Sequence, residues 1–506
     1  MRSKVLHRVC AVSLGMAVWM FPALGADDEP AVDLSFRVAD EPSVTRHSVT
    51  IDGRELSYTA MAGRMELPGY DGKTRAELSF IAYTLDGDHG PEDRPLTFSF
   101  NGGPGSSSVW LHLGTLGPRR VLMDDEGMPL PPPGRVVDNE FSWLDLTDMV
   151  FIDPVGTGYS RAEEGVRPTE FFGLREDIEA VGEFIRLWVT RNERWSSPKF
   201  LIGESYGTTR AAGLSSYLQE THGMYLNGVI LVSPVLNFQT IRFNVGNEMP
   251  YWLFLPTYAA TAFYHGRLEP ALSEDLRSLM DEVEEFAETE YLVALAKGDR
   301  LTRSERDEIA SKLARYTGLS KRYIEQTDLR IDIFRFTKEL LRDEGVTVGR
   351  LDSRYKGRDR LDVGDRYEYD PSYSAILGPY STALNDYMRR ELKYVNDHPY
   401  EILTGRVRPW SYAQDQNRYA NLAENLRSAM NRNRDLYAWF ACGYYDLATP
   451  HFAAEYTISH MQLDPELRGQ VMLSHYEAGH MMYLRIADLE KLKVDAVEFY
   501  RRALGD

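Results

Sequence analysis

The chain has 506 residues, of which 43% are hydrophobic and 12% aromatic, so it can bury a large core. Its net charge of −19 at pH 7 argues against nucleic acid and anionic membranes as partners. Length alone suggests two or three domains, although an α/β fold with insertions can reach this length as a single unit.

The first residues predict an export signal. The basic stretch MRSKVLHR precedes an apolar run, VCAVSLGMAVWMF, which is too short to span a membrane comfortably. Small residues follow, so residues 1–26 are expected to form a signal peptide cleaved after Ala26; an uncleaved anchor is the alternative. After cleavage no segment should remain in the membrane, and Cys10 is lost. Cys442 would be left alone, without an internal disulfide, which favours a periplasmic or secreted bacterial protein.

Short apolar segments predict a central sheet. SVTIDGRELSYTAMAGRMEL and AELSFIAYTLDG alternate apolar with polar residues, which favours a long antiparallel pair. Four buried-type runs follow, namely LTFSFNGG, DMVFIDPVG, KFLIGES and NGVILVSP. A helix-like segment among them places five apolar residues on one face: Leu174, Ile178, Val181, Ile185 and Trp188. Alternating strands and helices predict an α/β fold with a mostly parallel sheet covered on both faces.

The pattern changes after residue 237, where the chain becomes mostly helical, charged and rich in tyrosine. Strand-like runs return at LYAWFACG and QVMLSHYE, and a last amphipathic helix is predicted from about Met482 to Leu504. We therefore predict one α/β domain made of residues 27–237 and 411–506. Residues 238–410 would be a helical cap inserted into that domain.

The stretch Gly203-Glu204-Ser205-Tyr206-Gly207 fits the pattern Gly-x-Ser-x-Gly, in which the serine occupies a sharp, strained turn from strand to helix. The apolar run KFLI precedes it, and the helix-like TTRAAGLSSYLQ follows it. This context predicts that Ser205 is a nucleophile. An ordinary serine at a helix N-terminus is the alternative.

A nucleophilic serine requires a base, and the base requires a carboxylate that orients it. In α/β hydrolases these residues follow in the order Ser, Asp, His. Asp446, in a turn just after a predicted strand, is the predicted acid, although it could be a solvated turn residue. His480, in a glycine-containing turn, is the predicted base, and His475 is its rival inside the strand. His451 and His460 are predicted to lie at the surface.

His475, Glu477 and His480 could also suggest a metal site. Their spacing does not match two helical ligands four residues apart, and a glycine interrupts it. We therefore expect neither a metal nor another cofactor.

The stretch FNGGPGSSS supplies a glycine-rich turn that can direct a backbone N–H at a developing oxyanion. Together with FIDPVGTGYS, IGESYGT and the pair CGYYDLATP and AGHMM, it resembles the serine carboxypeptidases, in the family's order and over nearly the whole mature chain. The resemblance implies an α/β-hydrolase fold with a helical insertion near the site. It implies Ser205 as nucleophile, Asp446 as orienting acid and His480 as base. It also places an oxyanion hole at the backbone N–H groups of Gly103 and Tyr206.

The resemblance also suggests why Glu204 precedes the serine. In this family, the asparagine of Asn-Gly-Gly-Pro-Gly and the glutamate before the serine bind the terminal carboxylate of the substrate. Here these residues are Asn101 and Glu204, with the Gly102 backbone. Burial and a neighbouring carboxylate should raise the pKa of Glu204, so binding should be strongest in acid. A strained surface glutamate is the alternative.

The chain departs from the family pattern at three positions. Thr115 stands where many relatives have a second glutamate hydrogen-bonded to the first, and Ser99 replaces a tryptophan. Ser106 replaces a disulfide cysteine, in agreement with a chain that has no disulfide. The first two differences weaken the expectation of tight carboxylate recognition and of an acid preference.

The resemblance therefore implies a serine-type carboxypeptidase whose partner is a peptide with a free C terminus. An esterase or acyltransferase on the same fold would keep the triad without using Glu204 and Asn101. A non-catalytic binding homologue is the third possibility. Four tyrosines of the predicted cap could line the pocket or merely pack: Tyr367, Tyr369, Tyr373 and Tyr380.

Overall fold

A computed structural model describes residues 37–39 and 41–505 of the chain. The predicted signal peptide, residues 1–26, lies outside the described residues. Within the described part, no helix combines the length and the apolar character that crossing a membrane would need.

The strands of the described chain are β1 (Ser43–Ile51), β2 (Arg54–Pro68), β3 (Thr74–Leu85), β4 (Leu96–Phe100), β5 (Arg119–Val121), β6 (Val136–Asp138), β7 (Asp148–Ile152), β8 (Arg161–Ala162), β9 (Lys199–Glu204), β10 (Gly228–Val232), β11 (Thr347–Val348), β12 (Lys356–Gly357), β13 (Tyr437–Gly443) and β14 (Val471–Tyr476). The main sheet has the order β1-β2-β3-β7-β4-β9-β10-β13-β14, with β8 paired to β3. Along this order, the neighbouring strands from β1 to β7 pair antiparallel. The neighbouring strands from β7 through β4, β9, β10 and β13 to β14 pair parallel. The predicted α/β fold with a mostly parallel sheet is confirmed.

The antiparallel part of the sheet differs from the prediction at its first turn. SVTIDGREL is not one strand, because β1 and β2 form a hairpin around Asp52 and Gly53, whose φ angles are 49° and 72°. An Asp-Gly pair between alternating strands is typical of such a hairpin, since both positions need positive φ. β2 then pairs with β3, as expected.

The helices are α1 (Val109–Leu111), α2 (Leu174–Arg191), α3 (Tyr206–His222), α4 (Met249–Leu253), α5 (Leu255–Tyr264), α6 (Leu276–Phe286), α7 (Leu292–Lys297), α8 (Arg303–Thr317), α9 (Lys321–Gln326), α10 (Ile333–Glu339), α11 (Pro371–Arg390), α12 (Ala423–Arg432), α13 (His451–Ser459) and α14 (Ile486–Leu504). The last helix begins later than predicted, because Met482–Leu484 forms a separate 3-10 turn.

Two apolar clusters lie on opposite faces of the sheet. Alternate residues of one strand enter different clusters, as the two-residue period of a strand requires: Leu201 belongs to one cluster, and Phe200 and Ile202 belong to the other. The first cluster includes the predicted face of α2, all of it buried, together with α3 and α12. The second includes α11 and α14. The expected cover on both faces is therefore present.

Helices α4 to α10 enclose a third apolar cluster. Tyr445 and Leu447, the two neighbours of Asp446, belong to this cluster, so the middle segment packs against the loop that carries the predicted acid. The segment is mostly helical, as predicted, with the short strands β11 and β12. The boundaries of the cap at residues 238 and 410 stay a prediction.

A buried ion pair joins the two helices that flank the serine turn. Arg210 Nε of α3 donates to Asp177 Oδ2 of α2 at 2.8 Å, and Arg210 Nη1 donates to the carbonyl oxygen of Asn101 at 2.6 Å. The Arg210 and Asp177 side chains are only 1% and 3% exposed. Losing one partner would leave the other charge buried and uncompensated.

Asp177→Asn is therefore expected to lower the free energy of unfolding by about 3–5 kcal/mol. Glu179→Gln is the matched control in the same helix, because Glu179 pairs with Arg175 at the surface and should contribute about 0.5 kcal/mol or less. Guanidinium titration of both variants measures the difference. Equal destabilisation by the two substitutions would show that the buried pair does not hold α2 and α3 together.

Candidate active site

Ser205 occupies the turn between β9 and α3. Its φ of 59° and ψ of −128° are strained for a residue with a side chain. A Cβ on Gly203 would lie 2.1 Å from Gly207 O, and one on Gly207 would lie 2.8 Å from Phe100 O. Both flanking positions therefore require glycine, and the strand–turn–helix geometry expected for a nucleophilic serine is present.

Asp446 and His480 form a hydrogen-bonded pair, with His480 Nδ1 2.7 Å from Asp446 Oδ2. Asp446 is fully buried just after β13. Its Oδ1 accepts from the backbone N–H groups of Ala448 and Thr449 at 2.7 and 3.0 Å, and Oδ2 accepts from Thr449 Oγ1 at 2.7 Å. Because Nδ1 of the imidazole faces the carboxylate, Nε2 is the nitrogen left to take a proton from a nucleophile.

The surroundings of His480 favour its protonated form. Burial is the largest influence on the pKa of His480 and lowers it, but the charge and hydrogen bond of Asp446, with the charge of Glu204, outweigh burial and raise the pKa overall. A base that must carry a proton transiently benefits from this arrangement, because the carboxylate stabilises the imidazolium as it forms.

Ser233 links the turn of Ser205 to the Asp446–His480 pair. Ser205 N–H donates to the carbonyl of Val232, the last residue of β10, at 3.0 Å. Ser233 follows, and its Oγ donates to the His480 carbonyl at 2.7 Å, while its carbonyl accepts from Thr449 Oγ1 at 3.0 Å. Ser205, Asp446 and His480 thus all follow the carboxyl ends of neighbouring parallel strands. No sequence signal marked Ser233.

The glycine-rich turn after β4 lies against the first residue of α3. A Cβ on Gly102 would lie 2.4 Å from Tyr206 N, so the turn reaches the N–H predicted for the oxyanion hole. Gly103 and Gly105 have φ angles of 102° and 103°, which residues with side chains rarely adopt. The turn can therefore bring the backbone around Gly103 beside Tyr206 N.

Asp153, in the stretch FIDPVGTGYS, accepts hydrogen bonds from the end of this glycine-rich turn. Its Oδ1 accepts from the N–H and the Oγ of Ser108, both at 2.9 Å, and its Oδ2 accepts from Ser79 Oγ at 2.6 Å. Asp153 is buried, and desolvation raises its pKa despite these donors. The stretch FIDPVGTGYS therefore fixes the end of the stretch FNGGPGSSS, through the hydrogen bonds of Asp153 to Ser108.

Glu204 is buried, with 3% of its surface exposed, so the alternative of a surface glutamate is wrong. Burial raises the pKa of Glu204 to about 7, although the positive charge of His480 and hydrogen bonds from Tyr483 and Asn101 lower it in part. Tyr483 OH donates to Glu204 Oε2. The amide of Asn101 is close, yet its buried Nδ2 finds no partner of ordinary hydrogen-bond geometry among the described residues.

Tyr483 is a residue that the sequence analysis missed. A Cβ on Gly114 would lie 2.2 Å from a ring carbon of Tyr483, so this glycine admits the ring beside Glu204. Thr115, which follows, is fully buried, and its Oγ1 finds no hydrogen-bond partner among the described residues. A tyrosine hydroxyl, and not a second carboxyl, therefore supports Glu204 in this chain.

Among the four tyrosines considered for the pocket, Tyr380 lies next to the site. Its pKa is raised well above the usual value by burial and then by the charge of Glu204. Tyr373 and Tyr380 both pack against Trp110, with ring centroids 6.4 and 5.0 Å away. Tyr369 is 42% exposed in the loop before α11.

A segment of the predicted cap, residues 350–353, runs between the loops of the acid and the base; we name it the brace. Backbone hydrogen bonds of 3.0 Å join the brace to Leu447 and to Tyr445, on either side of Asp446. The brace thereby holds the acid loop along its length.

The opposite side of the brace holds the loop of His480, the predicted base. His480 N–H donates to Leu351 O at 2.6 Å, and Gly479 N–H donates to Asp352 Oδ2 at 3.1 Å. Asp352 is itself paired with buried Arg354 at 2.7 Å. A Cβ on Gly479 would lie 2.4 Å from Asp352 Cβ, which explains the glycine before the histidine.

The remaining histidines lie elsewhere. His475 belongs to β14, as predicted, and its Nε2 lies 2.8 Å from Glu455 Oε1, so it and His480 face different carboxylates. His460 is exposed, but His451 is fully buried, and the prediction that His451 lies at the surface is wrong. The reason is that α13 packs its first turn against the third apolar cluster.

A serine in a strained strand–helix turn, beside a histidine–aspartate pair at the carboxyl edge of a parallel sheet, is typical of α/β hydrolases. The sheet order and the elbow place this chain in that class of fold. A family model described as Serine carboxypeptidase matches residues 69–481, so the chain belongs to the serine carboxypeptidase family.

The individual relatives are distant. Serine carboxypeptidase-like 5 of Arabidopsis thaliana is 27% identical over 192 residues, which are 33% of this chain and 42% of that protein. Serine carboxypeptidase-like 7 of the same plant is 29% identical over 157 residues, 28% of this chain and 34% of that protein. The chain thus spans less than half the length of these curated relatives. A solved prohormone-processing carboxypeptidase from Saccharomyces cerevisiae shares the fold, with a TM-score of 0.53, 15% identity and coverage of 87% and 91% of the two chains.

The raised pKa of Glu204 predicts a pH-dependent stability. The usual value of 4.5 rises to about 7, so the folded protein holds a proton that the unfolded chain releases. The proton on Glu204 therefore stabilises the folded protein, and this stabilisation is complete below the pKa of the unfolded chain. It is lost as the pH rises through the folded-state pKa of about 7, and the loss approaches ~3 kcal/mol. Glu204→Gln cannot ionise and should remove this loss, whereas Tyr483→Phe should enlarge it. Unfolding free energies across this pH range provide the measurement, and parallel curves for parent and Glu204→Gln would contradict the assignment.

Proposed function

We propose that the chain is a serine-type carboxypeptidase that hydrolyses residues from the C termini of peptides through an acyl-enzyme. The observation that carries this proposal is Glu204, a buried carboxyl directly before Ser205. With a pKa of about 7, Glu204 can keep a proton near neutral pH. A protonated carboxyl can donate to the terminal carboxylate of a peptide, whereas two charged carboxylates would repel. Membership in the serine carboxypeptidase family supports the same activity.

The residues around Glu204 offer further donors for a carboxylate. Asn101 Nδ2 is buried without a partner of ordinary geometry in the described protein, and a ligand oxygen would satisfy it. Because Tyr483 donates to Oε2 of Glu204, Oε1 is left to carry the shared proton. We assign carboxylate binding to Asn101, Glu204 and the Gly102 backbone.

In the proposed reaction, Ser205 Oγ attacks the last peptide carbonyl while His480 Nε2 accepts the hydroxyl proton. The backbone N–H groups of Gly103 and Tyr206 stabilise the oxyanion, and Asp446 stabilises the imidazolium. Collapse of the tetrahedral intermediate breaks the C–N bond, and His480 returns the proton to the departing amine. Water then attacks the acyl carbonyl while His480 takes its proton. The bond to Ser205 Oγ breaks, His480 returns the proton to that oxygen, and the shortened peptide leaves with a new carboxyl group.

We also propose, as finer points, that this is an exported bacterial-type member of the family and that residues 238–410 act as its cap. The free, buried state of Cys442 supports a chain without a disulfide at this position. The brace and Tyr380 support a role for the cap segment in shaping the site.

The proposed triad predicts which substitutions abolish turnover. Ser205→Ala and His480→Ala should each lower kcat by about a million-fold, because the nucleophile or its base is lost. His475→Ala removes an imidazole five residues away and should keep kcat within a few-fold of the parent. Release of free amino acid from a peptide library, followed by mass spectrometry, gives the rates. An inactive His475→Ala with an active His480→Ala would show that the base has been misassigned.

The carboxylate site predicts a pH-dependent Michaelis constant. In the parent, KM for a free peptide should rise as Glu204 loses its proton near pH 7, and in Glu204→Gln it should change less. Tyr483→Phe should move the rise to higher pH, because the Tyr483 hydrogen bond lowers the pKa of Glu204. Amidating the peptide should raise KM of the parent about tenfold or more.

The same measurements distinguish a carboxypeptidase from an esterase or acyltransferase. Equal KM for free and amidated peptides, with parallel pH curves for parent and Glu204→Gln, would show that Glu204 does not recognise the carboxylate. An esterase or acyltransferase would then be the better description, and acyl transfer to an alcohol would be measured next.

A further inference from the structure

Three metal-ligating side chains, with a further histidine beside them, meet where the helical middle segment packs against α13. Glu284 comes from α6, His451 and Glu455 from α13, and His475 from β14. His451 and Glu455 are four residues apart and so share one face of their helix. We name these four residues the histidine–glutamate cluster.

The distances within the cluster suit coordination. His451 Nε2 lies 3.2 Å from Glu284 Oε1, and His475 Nε2 lies 2.8 Å from Glu455 Oε1. One ligand atom from each of Glu284, His451 and Glu455 lies within 4.8 Å of the other two. Around a tetrahedral zinc ion with bonds of about 2.0–2.1 Å, neighbouring ligand atoms are about 3.4 Å apart. The His451–Glu284 pair already has nearly that spacing.

The imidazole of His451 is held as a metal ligand would be. Its side chain is fully buried, and its Nδ1 lies 3.3 Å from Thr257 Oγ1. If Nδ1–H donates to that hydroxyl, the Nε2 lone pair faces the two carboxylates, and such a partner on the second nitrogen is the usual support of a metal-binding histidine. Tyr444 stacks on His475 with ring planes 5° apart and meets His451 edge-on, so both rings are fixed.

The charges around the cluster also favour a cation. Two half-buried carboxylates, Glu284 and Glu455, are 13% and 24% exposed. The nearest arginine, Arg277, lies 3.8 Å from the other oxygen of Glu284 and also pairs with Asp281, which is negative. Arg277 therefore orients the carboxylate from outside without neutralising the whole group.

The donor set distinguishes between metals. Calcium and magnesium prefer six or more oxygen ligands, whereas an imidazole nitrogen with two carboxylate oxygens and an open fourth position suits zinc. We propose that the histidine–glutamate cluster binds one zinc ion, with Glu284, His451 and Glu455 as ligands and water in the fourth position. His475 would hold the Glu455 carboxylate from outside the coordination shell. This proposal does not rest on the proposed peptidase activity, and the ion takes no part in that chemistry.

The position of the ion gives it a structural role. α6 lies in the middle segment, and α13 begins five residues after Asp446, at His451. A zinc ion would therefore tie the middle segment to the helix that leads away from the acid loop. Binding to the folded chain alone would raise its stability.

The test is zinc binding to the full chain after removal of metal with a chelator. Competition with a chromophoric chelator should give one zinc ion per chain. Glu284→Gln and Glu455→Gln should each weaken zinc at least about tenfold, as loss of a ligand or its close support does. Glu282→Gln is the matched control on α6, because Glu282 instead accepts from Arg315 and Tyr316 and should leave zinc affinity unchanged.

A second readout uses the parent alone. Zinc should raise its melting temperature, and cobalt in its place should give the visible absorption bands of a tetrahedral site. Circular dichroism verifies that each variant is folded. Zinc affinities of Glu284→Gln and Glu455→Gln equal to that of the parent would overturn the proposal, as would a cobalt-loaded parent without such bands. The cluster would then consist of two histidine–glutamate ion pairs and no metal site.

Discussion

Close backbone packing around Ser205 is the constraint on which the rest of the site depends. β9, the turn after β4 and the first turn of α3 approach so closely that side chains at Gly102, Gly203 or Gly207 would collide with backbone atoms. The chain accepts a strained φ of 59° at Ser205 in this confined space. Strain of this kind persists only where the surroundings fix it, and here a parallel strand and a helix do so. The same approach brings Tyr206 N beside the glycine-rich turn, so the same packing positions both Ser205 and the proposed oxyanion donors.

The Asp446–His480 pair depends on a different element. Neither loop is fixed by the sheet alone, since each leaves the end of a strand. The brace connects them, and it is anchored in turn by α11, where Arg350 N–H donates to Asp370 Oδ1 at 3.1 Å and Leu351 N–H donates to Ser372 Oγ at 3.1 Å. The middle segment therefore helps to hold the loops that carry Asp446 and His480 in position.

Burial gives Glu204 chemical properties unlike those of most surface carboxylates. Removing a carboxyl from water favours its neutral form, and the single hydroxyl of Tyr483 with the nearby Asn101 amide offsets only part of that effect. A second carboxyl at position 115 would share a proton with Glu204, whereas the threonine there cannot. The tyrosine instead supports Glu204 as a neutral donor to its Oε2.

The sequence by itself determined the parallel sheet, the elbow at Ser205 and the identity of the acid and base candidates, because these depend on local patterns. Apolar runs define strands, and glycine spacing defines the turn. A glycine-containing turn distinguishes His480 from His475, which lies inside the preceding strand. Tertiary structure alone decided the support of Tyr483 for Glu204, the brace and the burial of His451. Each of these joins residues far apart in the chain: 279 positions separate Glu204 from Tyr483. Such contacts are set by how the middle segment and the C-terminal loops pack on the sheet, which no local periodicity encodes.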